Sequence, residues 1–253
     1  MINNNYFKNN NYSNIAILIP AYNEGKYIKT VINKCINYNL DIIIVNDGST
    51  DNTGEILKEF KSENKIIVIN HDINKGKGEA LKTGFNYIIN NKYSGVITID
   101  ADGQHDTNEI QNFLNEIKNN NPDLIIGSRF QNTKGMPFIR KFVNYFTSWI
   151  ISYIAGKKIE DVQSGFRYIN YDALKNIKLE TKNFDTEPEL ILKAGWLNYN
   201  ITNIPIKTIY YPGEIKSHVN PVTDTIKFFK LVLKSIGWKR KLLKELKNQK
   251  TLN

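Results

Sequence analysis

The 253 residues are 41% hydrophobic and 23% charged, an ordinary globular balance with core enough for one large domain or two small ones. The single cysteine, Cys35, excludes an internal disulfide and fits a reducing compartment. The net charge of +9 gathers late in the chain: from Lys216 to Asn253, ten Lys and Arg stand against Asp224 and Glu245, a local balance of +8 that points to an anionic surface.

Residues 1–13 read as a disordered Asn-rich tail with no apolar stretch of the signal-peptide kind. From residue 15, strand-like and helix-like runs alternate. Strands are expected at 15–19, 41–45, 65–69, 95–99 and 123–126, and helices at 25–38, 51–60, 78–89 and 107–118. Cys35 lies among Val31, Ile32 and Ile36 and reads as packing. The alternation predicts an α/β fold, with a mostly parallel central sheet and helices on both faces. Ligands of such sheets bind beyond the C-terminal strand ends.

Four polar clusters stand at those ends: Pro20-Ala21-Tyr22-Asn23-Glu24, Asn46 to Asp51, Asp100 to Asp106, and Gly127-Ser128-Arg129. Each alone has a plain reading. Asn23 and Ser49 to Asp51 could be helix caps, Asp47-Gly48 a turn, and the acidic run a cap for the helix near Thr107. Together they would line one crevice. Asp100 and Asp102, one residue apart where a buried strand stops, can turn toward one point. Oxygen ligands of that kind suit Mg²⁺ or Mn²⁺ and leave positions for a diphosphate. In Asn74-Lys75-Gly76-Lys77-Gly78 the glycines would let backbone approach a ligand, and the lysines supply charge. The spacing is not that of a phosphate loop, and no Gly-x-Gly-x-x-Gly follows the first strand, which disfavours a dinucleotide fold.

Taken in order, Ile-Pro-Ala-Tyr-Asn-Glu at 19–24, Val-Asn-Asp-Gly-Ser-Thr-Asp at 45–51, Asn-Lys-Gly-Lys-Gly at 74–78 and Asp-Ala-Asp-Gly-Gln-His at 100–105 resemble family-2 inverting glycosyltransferases, with the nucleotide-diphospho-sugar transferase (GT-A type) fold. Asp161-Val162-Gln163-Ser164-Gly165-Phe166-Arg167, and Lys216-Ser217-His218 before Asn220-Pro221, are similar to the dolichol- or polyprenyl-phosphate sugar synthases. The resemblance implies a catalytic domain over 14–220 and a basic amphipathic helix over 221–253.

It implies further that Pro20, Ala21, Tyr22 and Glu24 hold the nucleoside with Asp47, which would accept a hydrogen bond from the base. Asp100, Ala101 and Asp102 would bracket ribose and diphosphate, with a divalent cation on Asp100, Asp102 and Gln104. Lys77 and Arg129 would meet the donor, and Lys216, Ser217 and His218 would close over its diphosphate. A lipid monophosphate acceptor, with a second pKa of about 6, arrives largely ionised and needs positive charge more than a base. Arg167 and Arg140 are the candidates for that charge. Asp161 reads either as base or orienting group, or as a turn acid paired with Arg167. Glu187 and Glu189 read as a solvated helix start, with contact to substrate as the alternative.

Two stretches bear on the membrane. Phe138 to Ile154 carries Phe142, Tyr145, Phe146, Trp149, Ile150 and Tyr153 at helical spacing. Asp224 to Leu246 sets Phe229, Leu233, Ile236, Leu243 and Leu246 apart from its lysines. Such helices can lie in a membrane surface, or the stripe can pack on the domain or a second subunit. The expectation is a cytoplasmic enzyme, either soluble or peripheral at the cytoplasmic face of a membrane, moving a hexose from a nucleotide sugar to a polyprenyl phosphate. GDP-mannose, UDP-glucose and UDP-hexosamine stay open as donors, and a sugar hydroxyl is the alternative acceptor. Nucleic acid is disfavoured as a partner, because the tail's aromatics fit an amphipathic helix better than a stacking groove.

Overall fold

The apolar runs of the first half do become strands, and they join one seven-stranded sheet. A computed structural model describes residues 14–130, 138–183, 185–209 and 221–250, with backbone only for 138–140, 221–227 and 246–250. The strands are β1 (Ile15–Ala21), β2 (Asp41–Asn46), β3 (Ile66–Asn70), β4 (Gly95–Thr98), β5 (Leu124–Ser128), β6 (Arg167–Asn170) and β7 (Ile201–Pro205). Their order is β3-β2-β1-β4-β6-β5-β7. All pairings are parallel except those of β6, which runs antiparallel to both β4 and β5.

The helices are α1 (Ile28–Cys35), α2 (Thr53–Glu59), α3 (Lys77–Asn90), α4 (Ile110–Asn120), α5 (Phe138–Ala155), α6 (Tyr171–Asn176), α7 (Thr186–Trp196) and α8 (Pro221–Lys250). They cover both faces of the sheet. Along β1, Ile17 and Ile19 join a core with Ile28, Ile32, Leu57 and Phe113, while Ala16 and Leu18 join a second core with Leu81, Ile88 and Ile191. A parallel strand buried on both sides needs apolar residues at every position, and all seven residues of β1 are buried. Cys35 is buried in the first core, and burial pushes its thiol up to about 12, so it packs and does not react.

The expected helices over Phe138 to Ile154 and Asp224 to Leu246 are present as α5 and α8. Both pack against α7. On α5, Asn144, Thr147, Ser148, Ile151 and Ala155 turn inward, while Phe142, Tyr145, Phe146, Trp149 and Tyr153 stay exposed, Tyr153 by 83%. On α8, Leu231, Ser235 and Trp238 are buried at helical spacing, and the Trp238 ring lies 5.4 Å from the Lys193 ammonium of α7. The stripe singled out in the sequence is a different one: Phe229, Leu233, Ile236 and Leu243 are exposed. α8 thus carries two apolar stripes, one docked and one bare. No helix among the described residues is long and apolar enough to cross a membrane.

Candidate active site

β1, β2, β4 and β5 end on one side of the sheet, as parallel strands must, and their polar clusters collect there. The reversed β6 enters from that same side, so the residues just before it join the group. The first two clusters are stitched together. Asn23 Oδ1 accepts from the Thr50 backbone N–H at 2.8 Å, Ser49 Oγ accepts from the Asn23 N–H at 3.0 Å, and Thr53 Oγ1 accepts from the Glu24 N–H at 2.8 Å. The residues read as possible caps are therefore mainly ties between two loops, although Asp51 does accept from Thr53 at 2.9 Å.

Pro20 and Ala21 are buried within β1, leaving Tyr22, 43% exposed, to face outward. Asp47 is held from several sides. Its carboxylate accepts from the Lys75 N–H at 2.9 Å and the Gly76 N–H at 2.8 Å, and Nδ1 of His71 lies 2.7 Å away. It is 2% exposed. It anchors the 74–76 loop from which α3 and Lys77 start.

At the end of β4 the acidic run divides. Asp106 caps the following turn by accepting from Asn108 at 3.0 Å. Asp100 and Asp102 turn inward instead, and Ala101 between them is buried. Asp102 Oδ1 accepts from the Gln104 N–H at 2.9 Å. Asp100 meets Lys77 Nζ at 2.7 Å through one oxygen and His105 Nε2 at 3.2 Å through the other. Burial opposes the Asp100 charge, but Lys77 and then His105 outweigh it and hold the carboxyl well below the usual range. Asp102 shifts the other way: burial, then Asp100, push it up. Burial first, and then Asp102, Asp100 and Asp51, push Glu24 up to about 7. Four carboxylates thus share one field, an excess of negative charge that suits a hard cation. Among the described residues no set of three or more His, Cys, Asp or Glu side chains is arranged to hold a metal.

Two expectations follow. A Cβ on Gly165 would lie 2.4 Å from the Asp100 carboxylate. Gly165→Ala should therefore displace Asp100 and cut turnover at least tenfold with little change in melting temperature, measured by steady-state kinetics and calorimetry. For Glu24, a folded pKa above the unfolded one means the native state binds the extra proton, so its contribution declines as pH rises from about 4.5 to 7. Glu24→Gln should melt higher than the parent at pH 8 and alike at pH 4. Equal melting temperatures at both pH values would contradict the crowding of charge described above.

Residues 16–178 match the glycosyl transferase family 2 model. The chain belongs to that family. A Methanococcus voltae UDP-N-acetylglucosamine–dolichyl-phosphate N-acetylglucosaminyltransferase is 36% identical, over 88% of this chain and 96% of the relative. A dolichyl-phosphate beta-glucosyltransferase of Trichomonas vaginalis is 28% identical, over 84% and 72%. Among solved structures, the fold is shared with glucosyl-3-phosphoglycerate synthase from Mycobacterium tuberculosis, crystallised with Mn²⁺ and UDP, at a TM-score of 0.66 and 14% identity, over 90% of this chain and 80% of that one. The GT-A type fold expected from the motifs is the fold present.

In this family 2 glycosyltransferase the residues expected on the acceptor side are arranged differently from the sequence reading. Asp161 is paired with Arg129, not Arg167: Nε and a terminal nitrogen of Arg129 reach its two oxygens at 2.6 and 2.8 Å. Asp161 is 1% exposed, and Arg129 outweighs burial and holds its carboxyl below the usual range, so it is a poor base. Arg167, also 1% exposed, donates to the carbonyls of Ser164 at 2.7 Å, Val162 at 2.7 Å and Glu187 at 3.0 Å. It knits the turn before β6 and faces no acceptor.

Glu187 and Glu189 are not solvated. Glu187 accepts from Lys77 at 3.0 Å, and Glu189, fully buried, accepts from Thr181 and from Lys193 at 2.6 Å. His105 and Gly165 are site residues that sequence reasoning passed over, and the partner of Glu187 is one it did not find. The first two stand inside quoted motifs, but Glu187 gives no local signal, because its partner lies 110 residues away. The Arg140 side chain and Lys216, Ser217 and His218 lie outside the described residues.

Proposed function

We propose that this glycosyltransferase moves a hexose-type sugar from a nucleoside-diphosphate sugar to a polyprenyl or dolichyl phosphate, with a UDP-linked N-acetylhexosamine as the first donor to test. The full-length likeness to the Methanococcus voltae enzyme supports the donor and the acceptor class. The observation that carries the reading is the gathering of Asp100, Asp102 and Glu24 at the strand ends, with Lys77 paired to Asp100 at 2.7 Å. Asp100, Asp102 and the Gln104 side chain would hold a divalent cation, and the negative field there fits one. The cation, when bound, neutralises charge that develops on the departing nucleotide. Lys77 adds an ammonium at the same place, and Tyr22, just past the end of β1, offers an exposed ring.

The locked Asp161 favours a phosphate acceptor over a sugar hydroxyl. A hydroxyl must lose a proton, whereas a lipid phosphate arrives as an anion and needs only alignment. Incubation with labelled UDP-N-acetylglucosamine, UDP-glucose or GDP-mannose and a polyprenyl phosphate, followed by organic extraction, tests this. Label should enter the lipid phase, most from UDP-N-acetylglucosamine. Label confined to water-soluble glycans would favour the hydroxyl acceptor.

A lipid acceptor also gives the bare faces of α5 and α8 a role as peripheral membrane contacts. Aromatic side chains suit the headgroup boundary, and each lysine beside anionic lipid contributes about 1 kcal/mol. The enzyme should float with anionic liposomes, less so at high salt. Because Trp149 and Tyr153 are exposed by 61% and 83%, replacing both with Ser should abolish flotation and leave the melting temperature within a degree or two. Unaltered flotation would assign the binding elsewhere.

A further inference from the structure

Lys77 holds one oxygen of Asp100 at 2.7 Å, in the place a divalent cation would need. The same ammonium is 3.0 Å from Glu187 Oε1, on the first turn of α7. The contacts are sheltered, with side-chain exposures of 21% for Lys77, 24% for Asp100 and 9% for Glu187. On its far side Asp100 meets His105, and the Glu187 main chain is fixed by Arg167. A cation on Asp100 would set two positive charges within a few ångströms in a sheltered site, where repulsion is strong. An ammonium already bonded to a second carboxylate can yield the first without being stranded.

We propose that Lys77 is the resident counter-ion of Asp100, that it gives way to the divalent cation by shifting its ammonium onto Glu187, and that Glu187 is thereby a positioning residue for Lys77. The inference rests on the cation reading given above. It makes Lys77 serve twice: it neutralises Asp100 in the empty cleft, and it is freed toward the diphosphate once the cation is in place. No bond is made or broken, and the ammonium only exchanges partners.

The test is Mn²⁺ binding without nucleotide, read from the spin-resonance signal of free Mn²⁺. Glu187→Gln, of equal size, removes the carboxylate that draws the ammonium away from Asp100, and should weaken Mn²⁺ binding about fivefold or more. Lys77→Gln removes the competitor and should tighten it by about as much. The double variant should bind like Lys77→Gln alone, because Glu187 acts through Lys77. A purely electrostatic effect of Glu187 would persist in the double variant, and a structural one would weaken binding in both single variants. Either result overturns the proposal. Failure of the parent enzyme to bind Mn²⁺, with or without a UDP-sugar, would remove the cation reading itself and this proposal with it.

Discussion

Asp102→Asn is expected to abolish divalent-dependent binding of the nucleotide sugar and to lower turnover by about 10²–10³-fold, the range seen when one electrostatic stabiliser of a transition state is lost. Of the two carboxylates at the end of β4, Asp100 is already engaged by Lys77 and His105. Asp102 has one backbone donor, from Gln104, and a charge that its surroundings disfavour. It has the most to gain from a cation and contributes least to the fold, so the amide should be tolerated. Titration calorimetry with UDP-N-acetylglucosamine in the presence of Mn²⁺, and again with a chelator, checks this. Binding equal to that of the parent would discard the metal role.

Arg129→Leu should cost stability more than chemistry. Its guanidinium is the bidentate partner of a carboxylate that is 1% exposed. Removing one member of a buried pair leaves an uncompensated charge, at a cost of about 3–5 kcal/mol. In a domain of this size that lowers the melting temperature by roughly 10 °C. Arg129→Leu combined with Asp161→Leu should recover much of the loss, since no charge is then stranded. Urea denaturation of the parent and the two variants would measure it. A stable Arg129→Leu enzyme with impaired turnover alone would return Arg129 to the donor, where the motif had placed it.

The difference between motif and structure at these residues has a physical origin. Strands and helices of the first half were legible because a parallel strand covered on both faces must be apolar, as β1 is throughout and β2 is from Ile42 to Val45. The rim of the cleft was legible because parallel strands deliver their polar ends to one side. β6 was not: four residues, reversed in direction, begin at the last residue of a stretch read only as a motif. Without its direction, nothing indicated that Gly165 would press against Asp100. Ion pairing was the least legible feature. Asp161 lies six residues from Arg167 and 32 from Arg129, yet it chose the distant partner, because Arg167 is consumed by carbonyls. Long-range pairs of this kind leave no periodicity to read.

The separation of the two stripes on α8 matters for how the protein handles changes of surroundings. The residues that clasp α7, Leu231 and Trp238, are not those left bare at Phe229, Leu233 and Ile236. Stripping away whatever shelters the bare set therefore loosens none of the clasp. The helix can be seated by one stripe while the other is free to meet a different surface.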